Sequence, residues 1–235
     1  MDLTHYYSST GNTFQFNRLQ ASQFAKNIAG DFNPIHDQDN KRFCVPGDLL
    51  FSLVLANYGV SEKMTCHFAG MVSDQVPLNF QEDNEQEIHI FDDKEKKYLT
   101  IQRGGECSDN ATLINNLIQA YVGFSGQTFP HVLVPLMKEH NVMINPARPL
   151  VIYNSMTINI TDFNISKPSL SLTDSQLTVT GKRGDVRLMF NFIENDKIVG
   201  HGEKTMVLSS LREFDEEKIQ ALVENYNQRK NTLSE

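Results

Sequence analysis

Cysteine is scarce in this sequence, basic charge is in deficit, and apolar runs are short. Each shortage removes a class of function. The three cysteines, Cys44, Cys66 and Cys107, are too few and too widely spaced for a disulfide framework or a paired-cysteine zinc site. Cys44 is open to two readings, a reactive thiol or a small buried apolar group. His67 and His89 fall within strand patterns without a second ligand at metal-binding spacing, so no metal is expected. No stretch approaches the roughly 20 uninterrupted apolar residues of a membrane span. The opening Met1-Asp2-Leu3-Thr4-His5 does not set a basic region before an apolar one, and a cytoplasmic location is the expectation. A formal net charge of −8 argues against nucleic acid as a partner, because phosphate binding needs a basic surface. Lys94, Lys96 and Lys97 sit among Asp92, Asp93 and Glu95, a solvated turn rather than a basic patch. Gly181-Lys182-Arg183-Gly184-Asp185 lacks the spacing of a phosphate loop and reads as a hairpin turn.

What remains is a chain of 235 residues, 40% hydrophobic and 21% charged, able to fold as one large domain or two small ones. One short stretch gathers polar groups able to do chemistry. Ala21, Phe24, Ala25 and Ile28 have the spacing of a helix with one buried face. Gly30 stops that helix, and Asp31, Asn33 and Pro34 continue as turn formers, with Pro34 biasing Asn33 towards an extended conformation. Asp31 and His36 then converge. An imidazole titrating near neutrality can take and return a proton, and a carboxylate beside it can orient it or share its water. Turn-capping groups without chemistry remain the plainer alternative.

Gly30-Asp31-Phe32-Asn33-Pro34-Ile35-His36, preceded by Phe24 and a short apolar helix, resembles the signature of the MaoC-like, (R)-specific enoyl-CoA hydratases of the hot-dog fold. Val45-Pro46-Gly47-Asp48-Leu49-Leu50-Phe51-Ser52-Leu53-Val54-Leu55 is similar to the start of that family's long central helix, and the matching covers residues 23–58. The resemblance implies that Asp31 and His36 are catalytic and hold the water that adds across a double bond. It implies substrate-binding roles for Asn33, which supports the loop, for Gly47 at the helix start that binds the thioester oxygen, and for Ser52. Read alone, Ser52 is a helical serine bonding its own backbone. The sequence also departs from the family. Ala29 stands where Ser or Thr is usual, Gln38 where an acid is common, and Lys41 and Arg42 in a small-residue region. Asp48 replaces an apolar residue beside the oxyanion site, where its charge opposes charge developing on a thioester oxygen unless it caps the helix.

Along the chain, residues 13–17 alternate as a strand, and the helix from Asp48 to Gly59 is apolar nearly all round and therefore buried. Strands follow at Met64–Met71, Val76–Phe80, Glu87–Phe91 and Lys97–Ile101, with turns at residues 81–84 and at Gly104-Gly105. A second cycle comes next: a helix over 110–122, breaks at Gly123, Gly126 and Pro130, and a helix from Val132 to Glu139. Strands then run over Leu150–Ile160, Ser169–Leu172, Gln176–Gly181, Val186–Ile193 and Ile198–Leu208, before an amphipathic helix over Arg212–Arg229. The repeated order predicts an α+β fold, a tandem (double) hot-dog with antiparallel sheets wrapped around central helices. Residues 1–107 form the unit carrying the motif. Residues 108–235 form a unit without it, whose Gly123–His131 region has a histidine but no partnering carboxylate and helps line an acyl tunnel. The function implied is that of a hydratase or dehydratase acting on trans-2-enoyl or (R)-3-hydroxyacyl thioesters of CoA or acyl-carrier protein. It needs no cofactor and is compatible with a homodimer. A non-catalytic acyl-thioester binding or regulatory protein, and a thioesterase, are the alternatives.

Overall fold

The structure is a computed structural model that describes residues 1–83 and 86–233. Its helices are α1 (Arg18–Gln23), α2 (Gly47–Tyr58), α3 (Ala111–Gly126), α4 (Thr128–His131), α5 (Leu133–Glu139) and α6 (Glu216–Leu233). The strands are β1 (Ser8–Thr10), β2 (Thr13–Gln15), β3 (Val60–Phe68), β4 (Leu78–Asp83), β5 (Glu87–Asp92), β6 (Lys97–Ser108), β7 (Val142–Met143), β8 (Val151–Ile160), β9 (Ser169–Thr180), β10 (Arg183–Glu194), β11 (Lys197–Ser209) and β12 (Arg212–Glu213). Ten of them form one antiparallel sheet in the order β1-β2-β4-β5-β6-β3-β8-β11-β10-β9, while β7 and β12 pair separately. Strands up to residue 108 lie on one side of the β3–β8 pairing, and later strands lie on the other.

The sheet's inner face follows from alternation. In β10, Gly184, Val186, Leu188, Phe190 and Phe192 are buried, while Asp185 and Arg187 are exposed. Against that face lies α2, buried from Asp48 through Leu55, as its apolar circumference requires. Phe51 of α2 meets Tyr121 of α3 edge to face at 5.2 Å. An antiparallel sheet wrapped around a buried helix is the hot-dog arrangement, in the α+β class. A second apolar cluster, built on Leu133, Met137, Leu188, Leu208 and Ile219, seats α5 and α6 on the far end of the sheet. No helix among the described residues is long and apolar enough to cross a membrane.

Several elements run longer than their sequence pattern. Gly104 and Gly105, expected in a turn, lie inside β6, where Gly105 at φ 79° accompanies a register shift against β3. The two strands expected at 169–172 and 176–181 are one strand, β9, with an irregularity opposite Met189 and Phe190. Gln81, Glu82 and Asp83 extend β4 rather than turning, and Asn84 lies outside the described residues. The helix expected to end at 122 continues through Gly123 to Gly126. That last glycine has a packing reason: a Cβ there would sit 2.0 Å from the carbonyl oxygen of Ala29, whereas a Cβ at Gly123 would meet nothing within 4 Å.

The two glycines of α3 should therefore respond with opposite signs. Gly126→Ala forces backbone against backbone and should lower stability by at least about 1–3 kcal/mol, the usual range for overpacking. Gly123→Ala should raise it by up to about 1 kcal/mol through helix propensity. Thermal and urea unfolding of the two variants beside the parent measures both.

Candidate functional site

The motif loop begins where α1 passes into a π-helix, Phe24–Ala29. The wider turn shifts the buried position from Ile28, which is half-exposed, to Ala29. Gly30 then caps the helix in the left-handed region at φ 63°. The chain turns on itself: the Asp31 carboxylate accepts from the Asn33 amide at 2.8 Å, and the Asn33 side chain accepts from the Ile35 amide at 3.2 Å. Asn33 so caps a short 3-10 turn, Pro34–His36.

This local bonding brings Asp31 and His36 together, with Asp31 Oδ2 3.5 Å from His36 Nε2. The other ring nitrogen, Nδ1, lies 2.7 Å from the carbonyl oxygen of Cys44. A carbonyl only accepts, so Nδ1 carries the proton and a neutral ring keeps its lone pair on Nε2. Two acceptors at that spacing suit the two hydrogens of one water. Burial works against charge on both groups, but their mutual attraction outweighs it. Asp31 is held below the usual carboxylate range, and His36 is raised above the usual imidazole value.

Both face a cavity of about 290 Å³ that Asn33, Gly47, Asp48, Ser125 and Lys204 also line. Asp48, Ser125 and Lys204 form a buried chain. The Lys204 ammonium donates to Ser125 Oγ at 2.5 Å, and Ser125 Oγ donates to Asp48 Oδ2 at 2.5 Å. Asp48 Oδ1 is buried and has no hydrogen-bond partner. Lys204 Nζ also lies 4.3 Å from the centre of the Tyr153 ring, which stacks on Phe68. Burial pushes the Asp48 carboxyl up and the Lys204 ammonium down, while the charge of each opposes the shift of the other. Asp31 also acts on Lys204, and His36 on Asp48, so the four groups share one field.

Among residues singled out from sequence, Asp31, Asn33, His36 and Gly47 come to this cavity. Ser52 does not: its hydroxyl is fully buried and returns to the Asp48 carbonyl at 2.6 Å, the helical self-bonding open to any serine in a helix. Asp48 has a partner on the other half of the chain. Arg42 is exposed and stands outside the cavity wall. The Cys44 thiol, pushed up to about 12 by burial, remains protonated, while its backbone carbonyl orients His36. His131 is exposed, and within Gly123–His131 it is Ser125, Gly126, Thr128 and Phe129 that reach the cavity. Lys204 went unremarked in the sequence although a signal was there. Strand alternation sets it on the same face as Met206 and Leu208, a place where an unpaired lysine is costly. Among the described residues, no group of three or more His, Cys, Asp or Glu is arranged to hold a metal ion.

A further wall comes from α6, through Leu222, Asn225, Tyr226 and Arg229. The Tyr226 hydroxyl lies 3.2 Å from the carbonyl oxygens of both Gly30 and Gly126. Arg229 donates to the Phe32 carbonyl at 3.3 Å and pairs with Asp37, whose other oxygen takes Lys26 at 2.8 Å.

Solved structures similar to the chain include an acyl-CoA thioesterase II TesB2 from Mycobacterium marinum, at 9% identity over 92% of this chain and 98% of the other, with a TM-score of 0.48. A conserved protein of unknown function with a hot dog fold from Alicyclobacillus acidocaldarius is 10% identical over 86% and 95%, with a TM-score of 0.49. A MaoC-like dehydratase is 8% identical over 87% and 98%, with a TM-score of 0.45. No curated protein matches the sequence. Residues 1–217 match the profile of the family described as "Protein of unknown function (DUF3581)", and the chain belongs to that family.

Proposed function

We propose that the chain is an acyl-thioester enzyme of the MaoC-like kind, adding water to a trans-2-enoyl thioester or removing it from an (R)-3-hydroxyacyl thioester. The observation that carries this reading is the Asp31–His36 pair, with the histidine tautomer fixed by the Cys44 carbonyl. Nε2 takes the proton of a water as its oxygen bonds to Cβ, and the same proton then goes to Cα, so nothing is left over. Asp31, ionised throughout, holds the second hydrogen of that water and favours the imidazolium. Amide groups at the start of α2, beside Gly47, supply donors for the thioester oxygen. Aromatic walls from Phe68, Phe129 and Tyr153 suit an acyl chain. In this reading residues 1–107 and 108–235 are two hot-dog units, a division supported by the way the strands sort on either side of the β3–β8 pairing.

Hydrolysis of the thioester is the second reading. Asp48 favours it, as a further carboxylate residue lining the same cavity.

Steady-state hydration of crotonyl-CoA distinguishes them. Asp31→Ala and His36→Ala should each lower kcat/KM by about 10²–10⁴-fold, the usual weight of general acid–base groups. Release of free CoA thiol without hydration favours hydrolysis, and retention of the thioester without turnover marks a binding protein.

The His36 ring should titrate above the ordinary value of about 6.5, followed by NMR of its carbon-bound ring protons. Asp31→Asn removes the attraction and leaves burial, which should carry the titration below that value. The sign for stability follows: a group raised on folding contributes fully below its unfolded pKa, and the contribution disappears as pH rises through the folded one.

A further inference from the structure

We infer that Lys204 donates a hydrogen bond to the acyl carbonyl oxygen of the substrate, with Ser125 and Asp48 as its positioning residues; this rests on the acyl-thioester reading above. The first ground is where the ammonium lies. Lys204 is only 4% exposed, yet it lines the same cavity as Asp31 and His36 from the opposite half of the chain. The second is its unspent capacity. An ammonium has three N–H donors; one goes to Ser125 Oγ, and the Tyr153 ring lies 4.3 Å away as a face for a second. A further donor remains for an acceptor in the cavity. The third is stiffness. Ser125 Oγ bonds Lys204 on one side and Asp48 on the other, so the amine is held in place before any ligand arrives.

Charge decides which acceptor fits. Around the ammonium itself, with His36 in its neutral form as the base, ionised Asp31 and Asp48 set two negative charges against the one positive charge of Lys204, while Arg229 on the α6 wall is paired with Asp37. A ligand carboxylate would add a third negative charge to a buried site already in excess. A thioester carbonyl enters neutral and gains negative charge only as water bonds to Cβ and electron density moves onto its oxygen. The ammonium therefore does more for the transition state than for the ground state. The same pairing answers the negative charge that Asp48 brings to the start of α2.

The test uses the full chain with two probes, crotonyl-CoA for turnover and [1-¹³C]butyryl-CoA, which has no double bond to hydrate, for the carbonyl stretch. In the parent, the isotope-edited infrared band of bound butyryl-CoA should lie at lower frequency than in water. Lys204→Met should return the band towards its position in water and lower kcat by about 10²–10³-fold, the usual loss for one oxyanion donor, with KM changed much less. Lys204→Met leaves Asp48 buried and unpaired, so the double variant Lys204→Met, Asp48→Asn is made beside it and is expected to show the same two losses. Thermal melts establish that each variant is folded. A folded variant of either kind that keeps both kcat and the lowered band overturns the inference. So does a parent that hydrates crotonyl-CoA and retains butyryl-CoA with no lowered band; in both cases the hydratase reading survives. A parent that neither converts nor retains either thioester overturns that reading, and this inference with it.

Discussion

One contact registers the two walls of the cavity. The end of α3 approaches the motif loop so closely that only a glycine fits at position 126, and the Tyr226 hydroxyl lies within bonding distance of the carbonyls of Gly30 and Gly126 together. Gly30 immediately precedes Asp31, and Gly126 immediately follows Ser125. The junction that aims the Asp31 carboxylate therefore also aims the Ser125 hydroxyl, and through it the Lys204 ammonium. Three segments far apart in sequence, the loop, α3 and α6, are fixed relative to one another at a single point. The Asp31 amide, donating to the Ala25 carbonyl at 2.8 Å, ties the junction back to the π-helix.

Stability alone does not account for the charges set into this frame. Burying a carboxylate and an ammonium costs several kcal/mol per ion, and well-packed apolar residues in their place are often neutral or stabilising. Asp48 and Lys204 carry that cost inside a cavity whose other walls are largely apolar and aromatic. Asp31 and His36 differ in kind. They are partly buried, their mutual attraction exceeds the penalty of burial, and their backbone partners, the Asn33 amide and the Cys44 carbonyl, come from the same short stretch. One pair is made by local turn chemistry and the other by the meeting of distant elements.

That difference explains what could be read from the sequence. The motif pair was legible because a glycine stop, an aspartate turn and a proline act over seven residues, and their consequences need no tertiary knowledge. The buried central helix was legible because Leu49 to Leu55 is apolar nearly all round, Ser52 excepted. The alternating strands were legible in type, but their lengths were not, since Gly104 and Gly105 punctuate a turn as readily as an irregular strand, and cross-strand pairing decides which. The Asp48–Ser125–Lys204 chain was not legible, because residues 77 and 79 apart meet only once the sheet is assembled. Only the inward register of Lys204 between Gly202 and Met206 hinted at it.

Sheet order also explains how a lysine near the end of the chain arrives at a helix near its beginning. β11 is two strands from β3, across β8. At a spacing of about 4.8 Å per strand the separation is roughly 10 Å, which a lysine side chain pointing inward and the helix lying over the seam can close between them. Gly202, two residues earlier on the same face, leaves its place to the Phe190 ring, because a Cβ there would lie 2.4 Å from it. The inward face of β11 thus carries a hole filled by a neighbouring aromatic and then a long polar side chain reaching past it. Judged within the first half alone, Asp48 reads as a charge in the wrong place. Judged across the seam, it is half of a neutral pair, and the second half of the chain supplies the other member.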